Sequence, residues 1–349
     1  MSPAPLTFLG IDVGGSRIKW SLATDGAIVE DGALPTARAG GDELVAQVVR
    51  LVTDVGGGAA GVGLAMPGTV DTRRRETLVI PNVPGDWWRR PVGEQVRRLT
   101  GTPLWVLNDA RAFGYAELHA GAGIGRQTTL FLTLGTGVGG ALAREGRLEV
   151  EDHDHTPEMG HVPVERHGER CGCGATGCLE TVASASAIVG HTARAVLTGQ
   201  SPILLELCGG RVDDLTAEMV SQAADAGDPF ARAAFERAGA MIGIAAAGCC
   251  LVTGVTTVVI GGGLAGAFHH LAPAVEAVLR ERESLTGPVD VLPGLLGSSA
   301  GSIGAALYAQ HRWSAPHPAP HPVADPTPSD VPALTPPGHD ERASHDLDQ

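Results

Sequence analysis

One local design occurs twice in this chain. An apolar strand, a glycine-rich tight turn and a second strand run from Phe8 to Trp20 around Gly14–Gly15, and again from Leu130 to Ala143 around Gly135–Gly140. Glycines in such turns let the backbone reverse sharply and aim its N–H groups at a bound anion. Two related halves facing a cleft would explain the repetition. Around these units, strand-like runs (Leu6–Asp12, Gly61–Ala65, Leu104–Asn108, Thr128–Leu134 and Val255–Ile260) alternate with helical patterns such as Glu43–Thr53 and Leu271–Arg282. The alternation indicates an α/β fold.

With 349 residues the chain is long enough for two domains, each with its own core. Its formal net charge of −14 argues against a phosphate-binding face for nucleic acid, which needs clustered Lys and Arg. The expected partners are small molecules. No basic segment followed by an apolar run of signal-peptide length opens the chain. Ala238 to Ala267 is uncharged and long enough to span a bilayer, but it divides into a buried helix from about Phe235 to Leu251 and a β-branched strand ending at Gly261–Gly263. The reading is therefore a cytoplasmic protein without a membrane span. Beyond about Trp313 the chain turns rich in Pro, His, Asp and Ser, as expected of a disordered tail over 313–349.

The run Asp12-Val-Gly14-Gly15-Ser16 puts a carboxylate at a strand end, then two glycines and a hydroxyl that can face a phosphate. Gly135-Thr136-Gly137-Val138-Gly139-Gly140 formally matches the dinucleotide fingerprint, as does Gly261-Gly262-Gly263-Leu264-Ala265-Gly266. That fingerprint requires a helix after the glycines, whereas Gly135–Gly140 leads into Ala141-Leu-Ala-Arg, which reads as the return strand of a hairpin. A Rossmann oxidoreductase would explain the late loop and leave Asp12 and the two earlier loops unexplained. In a kinase, Gly261–Gly263 would pass close to the nucleotide base and ribose.

His161 with Cys171, Cys173 and Cys178 supplies one imidazole and three thiolates, enough for a closed tetrahedral zinc site. The other cysteines, Cys208, Cys249 and Cys250, sit among apolar residues and read as inert core. Pro157-Glu158-Met159-Gly160-His161 followed by Cys171-Gly-Cys-Gly-Ala-Thr-Gly-Cys-Leu-Glu180 resembles the zinc motif of the bacterial ROK family of repressors, open reading frames and kinases. Further motifs carry the resemblance across the chain: Asp12-Val-Gly-Gly-Ser, Ala65-Met-Pro-Gly68, Pro81-Asn82-Val-Pro-Gly85, Asn108-Asp109, Leu134-Gly-Thr-Gly137 and Ile260-Gly-Gly-Gly263.

The resemblance implies the actin-like ATPase (ribonuclease H-like) fold, with two α/β domains around a cleft. It places an N-terminal domain over 1–110, rejoined by a helix at about 300–312, and a larger domain over 111–299. It implies an ATP-dependent sugar kinase of the glucokinase type, a homodimer, with Asp109 as general base. Gly68, Asn82, Asn108, Glu158, His161 and Glu180 would surround the sugar, while Gly14, Gly15, Ser16, Thr136 and Gly137 hold the phosphates. Zinc would be structural, because its four ligands saturate it, and the catalytic cation would be Mg²⁺, placed by Asp12 through water. The chemistry fits independently, since a sugar hydroxyl needs a carboxylate to align it and accept its proton. Taken alone, Asp109 reads as a helix N-cap.

The chain departs from the family pattern at two places. Arg111 stands where a second Asn often follows the catalytic Asp, and Glu151-Asp-His-Asp-His-Thr156 replaces a small, Gly- and Ala-rich stretch beside the sugar. Asp152 and Asp154 there could favour an amino sugar or form a solvated acidic loop. Trp87 and Trp88 could wall the sugar or belong to the core. A repressor would need a helix-turn-helix module ahead of Asp12, where only eleven residues stand. Polyphosphate ranks below ATP as donor. Glucose leads as acceptor, followed by fructose, an amino sugar or an N-acetylhexosamine.

Overall fold

The computed structural model describes residues 5–80, 83–150 and 157–314, to which every statement below refers. The first part contains β1 (Thr7–Val13), β2 (Arg17–Thr24), β3 (Ala27–Pro35), α1 (Gly41–Asp54), β4 (Gly61–Met66), the small hairpin β5 (Thr69–Asp71) and β6 (Glu76–Val79), α2 (Val92–Thr100), β7 (Leu104–Asn108) and α3 (Asp109–Ala120). The second contains β8 (Thr129–Leu134), β9 (Val138–Arg144), β10 (Arg147–Leu148), α4 (Glu180–Ala183), α5 (Ala185–Leu197), α6 (Pro202–Leu207), α7 (Ala217–Asp225) and α8 (Pro229–Thr253). It continues through β11 (Thr257–Gly261), α9 (Phe268–Arg280), α10 (Glu283–Thr286), β12 (Asp290–Pro293) and α11 (Ala300–Ser314).

The strand order is β3-β2-β1-β4-β7 in one sheet and β10-β9-β8-β11-β12 in the other, so the two sheets repeat one topology. In each, an antiparallel hairpin is followed by parallel strands. The repetition extends to the outer hairpin turns. Asp25-Gly26 and Glu145-Gly146 both adopt positive φ at two successive residues, the backbone of a type I′ turn, which glycine tolerates best at its second position.

Strand alternation decides which layer each face meets. Leu9, Ile11 and Val13 of β1 join Val62, Leu64 and Met66 of β4 in a core beneath α1 and α2. The opposite face, with Phe8, Ala65 and Leu107, packs on Ala112 of α3 and on Ala305, Tyr308 and Ala309 of α11. The second sheet is covered on one side by α4 to α9. Its other side, with Phe131, Ala141 and Val259, meets Phe113 of α3 and Ile303 and Leu307 of α11. Helices α3 and α11 are thus sandwiched between the sheets.

The approach of α11 is close enough to exclude a side chain at Gly63 of β4, where a Cβ would lie 1.9 Å from the carbonyl oxygen of Ala305. Helix α11 runs through Ser314, past the start expected for the tail at 313, because Trp313 still packs edge-on against Phe8 with ring centroids 6.3 Å apart. The rest of that expected tail, 315–349, lies outside the described residues.

Helix α8 is longer than expected and is apolar enough to cross a membrane by length and composition, but half of its most apolar window is buried. Its buried residues, among them Phe235, Ala238, Ile242 and Ala246, form the centre of the largest core cluster. Cys208 and Cys250 are buried in that cluster, and Cys249 packs against it.

Candidate active site

Parallel strands carry successive loops out of the same sheet edge, so β1, β4 and β7 deliver Asp12, Gly68 and Asp109 to one side of the molecule. The register pairs Asp12 with Ala65, and Met66 with Asn108. Asp12 follows Phe8 and Gly10 on the face turned toward α11, where its carboxylate lies against Gly301.

Asn108, rather than Asp109, caps α3. Its Oδ1 accepts the N–H groups of Ala110 and Arg111 at 2.9 and 3.1 Å. Its Nδ2 donates to the Gly68 carbonyl at 2.7 Å and to Asp109 Oδ1 at 3.0 Å. A residue expected around the sugar is thereby committed to holding the Gly68 loop and the Asp109 carboxylate together. Asp109 is the first residue of the helix, where the free N–H groups and the helix dipole favour an anion.

Burial raises the Asp109 carboxyl to about 6, against the lowering effects of the Ala110 N–H and of Arg111. Asp12 is raised further, to about 7, first by burial and then by the charge of Asp109, with Lys19 pulling the other way. Two buried carboxyls raised above their ordinary values, Asp12 in part by the charge of Asp109 and Asp109 in part by that of Glu158, form a natural place for a cation or for proton transfer.

The turn between β1 and β2 is closed by the Gly14 N–H donating to Arg17 O at 3.0 Å, leaving Gly15 and the exposed Ser16 at its tip. The turn between β8 and β9 is closed by Gly135 N–H to Gly137 O at 2.9 Å, with Thr136 exposed. Gly135 also lies beside Gly263, whose added Cβ would stand 3.7 Å from the Gly135 Cα. The second turn and the Gly261–Gly263 loop therefore share one corner, and Gly261–Gly263 does lie between a strand and a helix.

Glu180, at the start of α4, accepts the Val138 N–H at 3.0 Å. A Cβ on Gly137 would come 2.5 Å from its Oε2, so a side chain there would push Glu180 off the turn. This contact ties the cysteine loop to the β8–β9 turn.

His161 Nδ1 lies 3.6 Å from Cys171 Sγ, and Cys173 Sγ lies 3.7 Å from Cys178 Sγ. All four donor atoms fall within 4.8 Å of one another. Tetrahedral zinc, with Zn–S of about 2.3 Å and Zn–N of about 2.0 Å, sets neighbouring ligand atoms about 3.5–3.8 Å apart. The cluster fits that ion. Burial, with Cys173 and Cys171 beside it, pushes the Cys178 thiol up to about 12, while the Ala175 N–H holds Cys173 below the ordinary thiol value. A cation bound there would favour the thiolate forms over the crowded thiols.

Residues 8–312 match the ROK family. The chain belongs to it. It is 32% identical to a glucokinase of Thermotoga maritima across 88% of this chain and 98% of that protein. It is 30% identical to an N-acetylmannosamine kinase of Escherichia coli across 87% of this chain and 99% of that one. A ROK glucokinase from Streptomyces griseus, solved with glucose and AMPPNP, superposes with a TM-score of 0.77 at 30% identity, covering 87% of this chain and 99% of that one. The two sheets of this ROK protein accordingly form the actin-like ATPase fold that its motifs implied.

The departure at Arg111 proves to be structural chemistry within the site. The Arg111 side chain is 4% exposed and bridges Asn108 Oδ1 at 3.1 Å and Glu158 Oε1 at 2.9 Å. It thus links the helix carrying Asp109 to the segment entering the cysteine loop. The partnership spans 47 residues in sequence, so spacing gave no sign of it. Trp87 is core, with its Nε1 donating to Val83 O at 3.0 Å, while Trp88 is exposed. Asn82 and the acidic residues Asp152 and Asp154 lie outside the described residues.

Proposed function

We infer that this protein is an ATP-dependent hexose kinase in which Asp109 is the general base. The observation that carries this reading is the Asp109 carboxylate at the end of β7, raised to about 6 and fixed by Asn108 and the start of α3. A base poised near the working pH accepts a hydroxyl proton most effectively. It is ionised at neutral pH and can align the sugar 6-hydroxyl while the hydroxyl oxygen attacks the γ-phosphorus of ATP. The proton passes to Asp109 and ADP leaves.

Gly68, Asn82, Glu158, His161 and Glu180 form the sugar-binding set in this reading, with Asn108 holding the set in register. Glu158 offers one carboxylate edge to sugar hydroxyls while Arg111 holds the other. His161 turns Nδ1 to the thiols, so its Nε2 is the nitrogen left for the sugar side. Gly14, Gly15, Ser16, Thr136 and Gly137 supply turn N–H and hydroxyl groups to the phosphates, and Gly261, Gly262 and Gly263 leave room for the nucleoside. The domain boundary falls near residue 110, with α11 returning to the first sheet.

Asp12 fits Mg²⁺ held through water, because a dication would offset both the burial and the Asp109 repulsion that raise its carboxyl. Bound there, Mg²⁺ would neutralise charge on the nucleotide phosphates. Zinc on His161, Cys171, Cys173 and Cys178 would be saturated by protein ligands, and its task is to hold the loop between Glu158 and Glu180. The setting expected is cytoplasmic, since three cysteines gathered with His161 suit a metal site rather than a secreted disulfide framework. The assembly expected is a homodimer.

Glucose is the leading acceptor, supported by the glucokinases among the relatives, and N-acetylmannosamine is the second, supported by the kinases of that sugar at similar identity. The test is ADP release from ATP and Mg²⁺ across hexoses, amino-hexoses and N-acetylhexosamines, beside Asp109→Asn. Sugar-dependent turnover that disappears in the variant is the expected result. Turnover retained by the variant would remove Asp109 from the mechanism, and none with any sugar would remove the kinase.

A further inference from the structure

A second cluster of metal-type side chains lies away from the candidate active site, between the end of α7 and the start of α9. His269 Nε2 and His270 Nε2 converge on the same carboxylate oxygen, Asp225 Oδ1, at 2.8 and 2.9 Å. The three donor atoms all lie within 4.8 Å of one another.

Adjacent residues on a helix ordinarily point about 100° apart, so two neighbouring imidazoles turned onto one oxygen is an unusual arrangement. A plain His–Asp contact requires only one ring. His269 makes it, with hydrogen-bond geometry, from a largely exposed position. His270 does not: its Nε2 is buried and has no hydrogen-bond partner, although it sits within contact distance of the carboxylate. Its ring is held from behind by Phe235 of α8, stacked at 5.3 Å and 24°. A rigid, buried ring nitrogen held 2.9 Å from a carboxylate oxygen, outside hydrogen-bond geometry, is well placed to share a cation with it.

We propose that Asp225, His269 and His270 bind a second divalent transition-metal ion, of the Zn²⁺, Co²⁺ or Ni²⁺ class, which clamps α7 to α9. Metal–ligand bonds of about 2.0–2.2 Å place neighbouring ligand atoms about 2.9 Å apart at right angles and about 3.4 Å apart in a tetrahedron. The two observed separations, 2.8 and 2.9 Å, and the spread of all three donor atoms within 4.8 Å leave the set close enough to take such an ion with small side-chain shifts, water completing its coordination. Two imidazoles and one carboxylate select borderline transition ions over Mg²⁺ or Ca²⁺, which take oxygen ligands. The helix so pinned, α9, begins five residues after Gly263, so the ion would stiffen the segment leading out of that loop.

The full-length protein, with zinc on its thiolates, is titrated with Ni²⁺ by equilibrium dialysis and by thermal unfolding, beside His269→Ala and His270→Phe. His269 is exposed, and phenylalanine preserves the stacking on Phe235, so neither change removes core packing. Histidines beyond Ser314 are common to all three proteins and cancel in the comparison. Wild type should bind one more equivalent of Ni²⁺ than either variant, with affinity at least roughly tenfold higher, since loss of a direct ligand costs more than loss of an outer-sphere partner. Only wild type should gain thermal stability from Ni²⁺. In metal-free protein loaded with Co²⁺, the intense thiolate-to-cobalt band should be the same in all three, with the weak bands of a nitrogen and oxygen site added in wild type alone. Equal Ni²⁺ stoichiometry and equal thermal shifts in wild type and both variants would overturn the proposal.

Discussion

Asp109, the proposed general base, carries a cost to folding that can be measured separately from its chemistry. Its carboxyl sits at about 6 in the folded protein, above the unfolded value of about 4. The folded state therefore binds this proton more tightly, and the stabilisation it gains is complete below about pH 4 and lost as pH rises through 6. Asp109→Asn should leave thermal stability unchanged near pH 4 and raise it at pH 8 by roughly 1–3 kcal/mol. Turnover should fall about 10²- to 10⁴-fold. A variant less stable than wild type at pH 8 would contradict the burial argument. Arg111 lies on the opposite side of the balance, since its charge lowers the Asp109 carboxyl. Arg111→Gln should move the acidic limb of the kcat/KM profile to higher pH and raise KM for the sugar by releasing Glu158; an unmoved limb would leave Arg111 a purely steric role.

At the scale of elements, the cysteine loop is held at two ends, by Arg111 on Glu158 and by Glu180 on the β8–β9 turn. Zinc extraction by a chelator should loosen both Glu158 and Glu180, so KM for the sugar should rise more than kcat falls, with recovery on adding Zn²⁺. Cys173→Ser, at the exposed member of the set, should reproduce the effect without disturbing the core. These couplings show where sequence reading stops. Strands such as Leu104–Asn108 and the cysteine set were legible because periodicity and ligand spacing are local. Asn and Asp are both good caps, and only geometry shows that Asn108 turns back onto the helix while Asp109 does not serve as its cap. The links from Arg111 to Glu158, from Glu180 to Val138 and from Asp225 to His270 were not legible, because each joins segments more than forty residues apart.

Across the whole molecule, the two sheets are joined through α3 and α11, which share their facing surfaces. The fit of α11 admits no side chain at position 63, where a Cβ would meet backbone. Gly63→Ala should therefore destabilise the protein by roughly 1–3 kcal/mol or more, read by denaturant unfolding, although alanine is the smallest possible change. A neutral result would mean that α11 is less firmly seated than its contacts indicate. The seat has a consequence in time. Strands β1 and β4 leave the ribosome early, but the helix that covers their Phe8–Ala65 face is encoded more than two hundred residues later. At bacterial elongation rates of about 5–20 residues per second, that apolar face waits on the order of ten seconds or longer for its cover. During that interval the nascent chain presents a half-finished sheet, which makes it a client for any chaperone that binds exposed apolar strands.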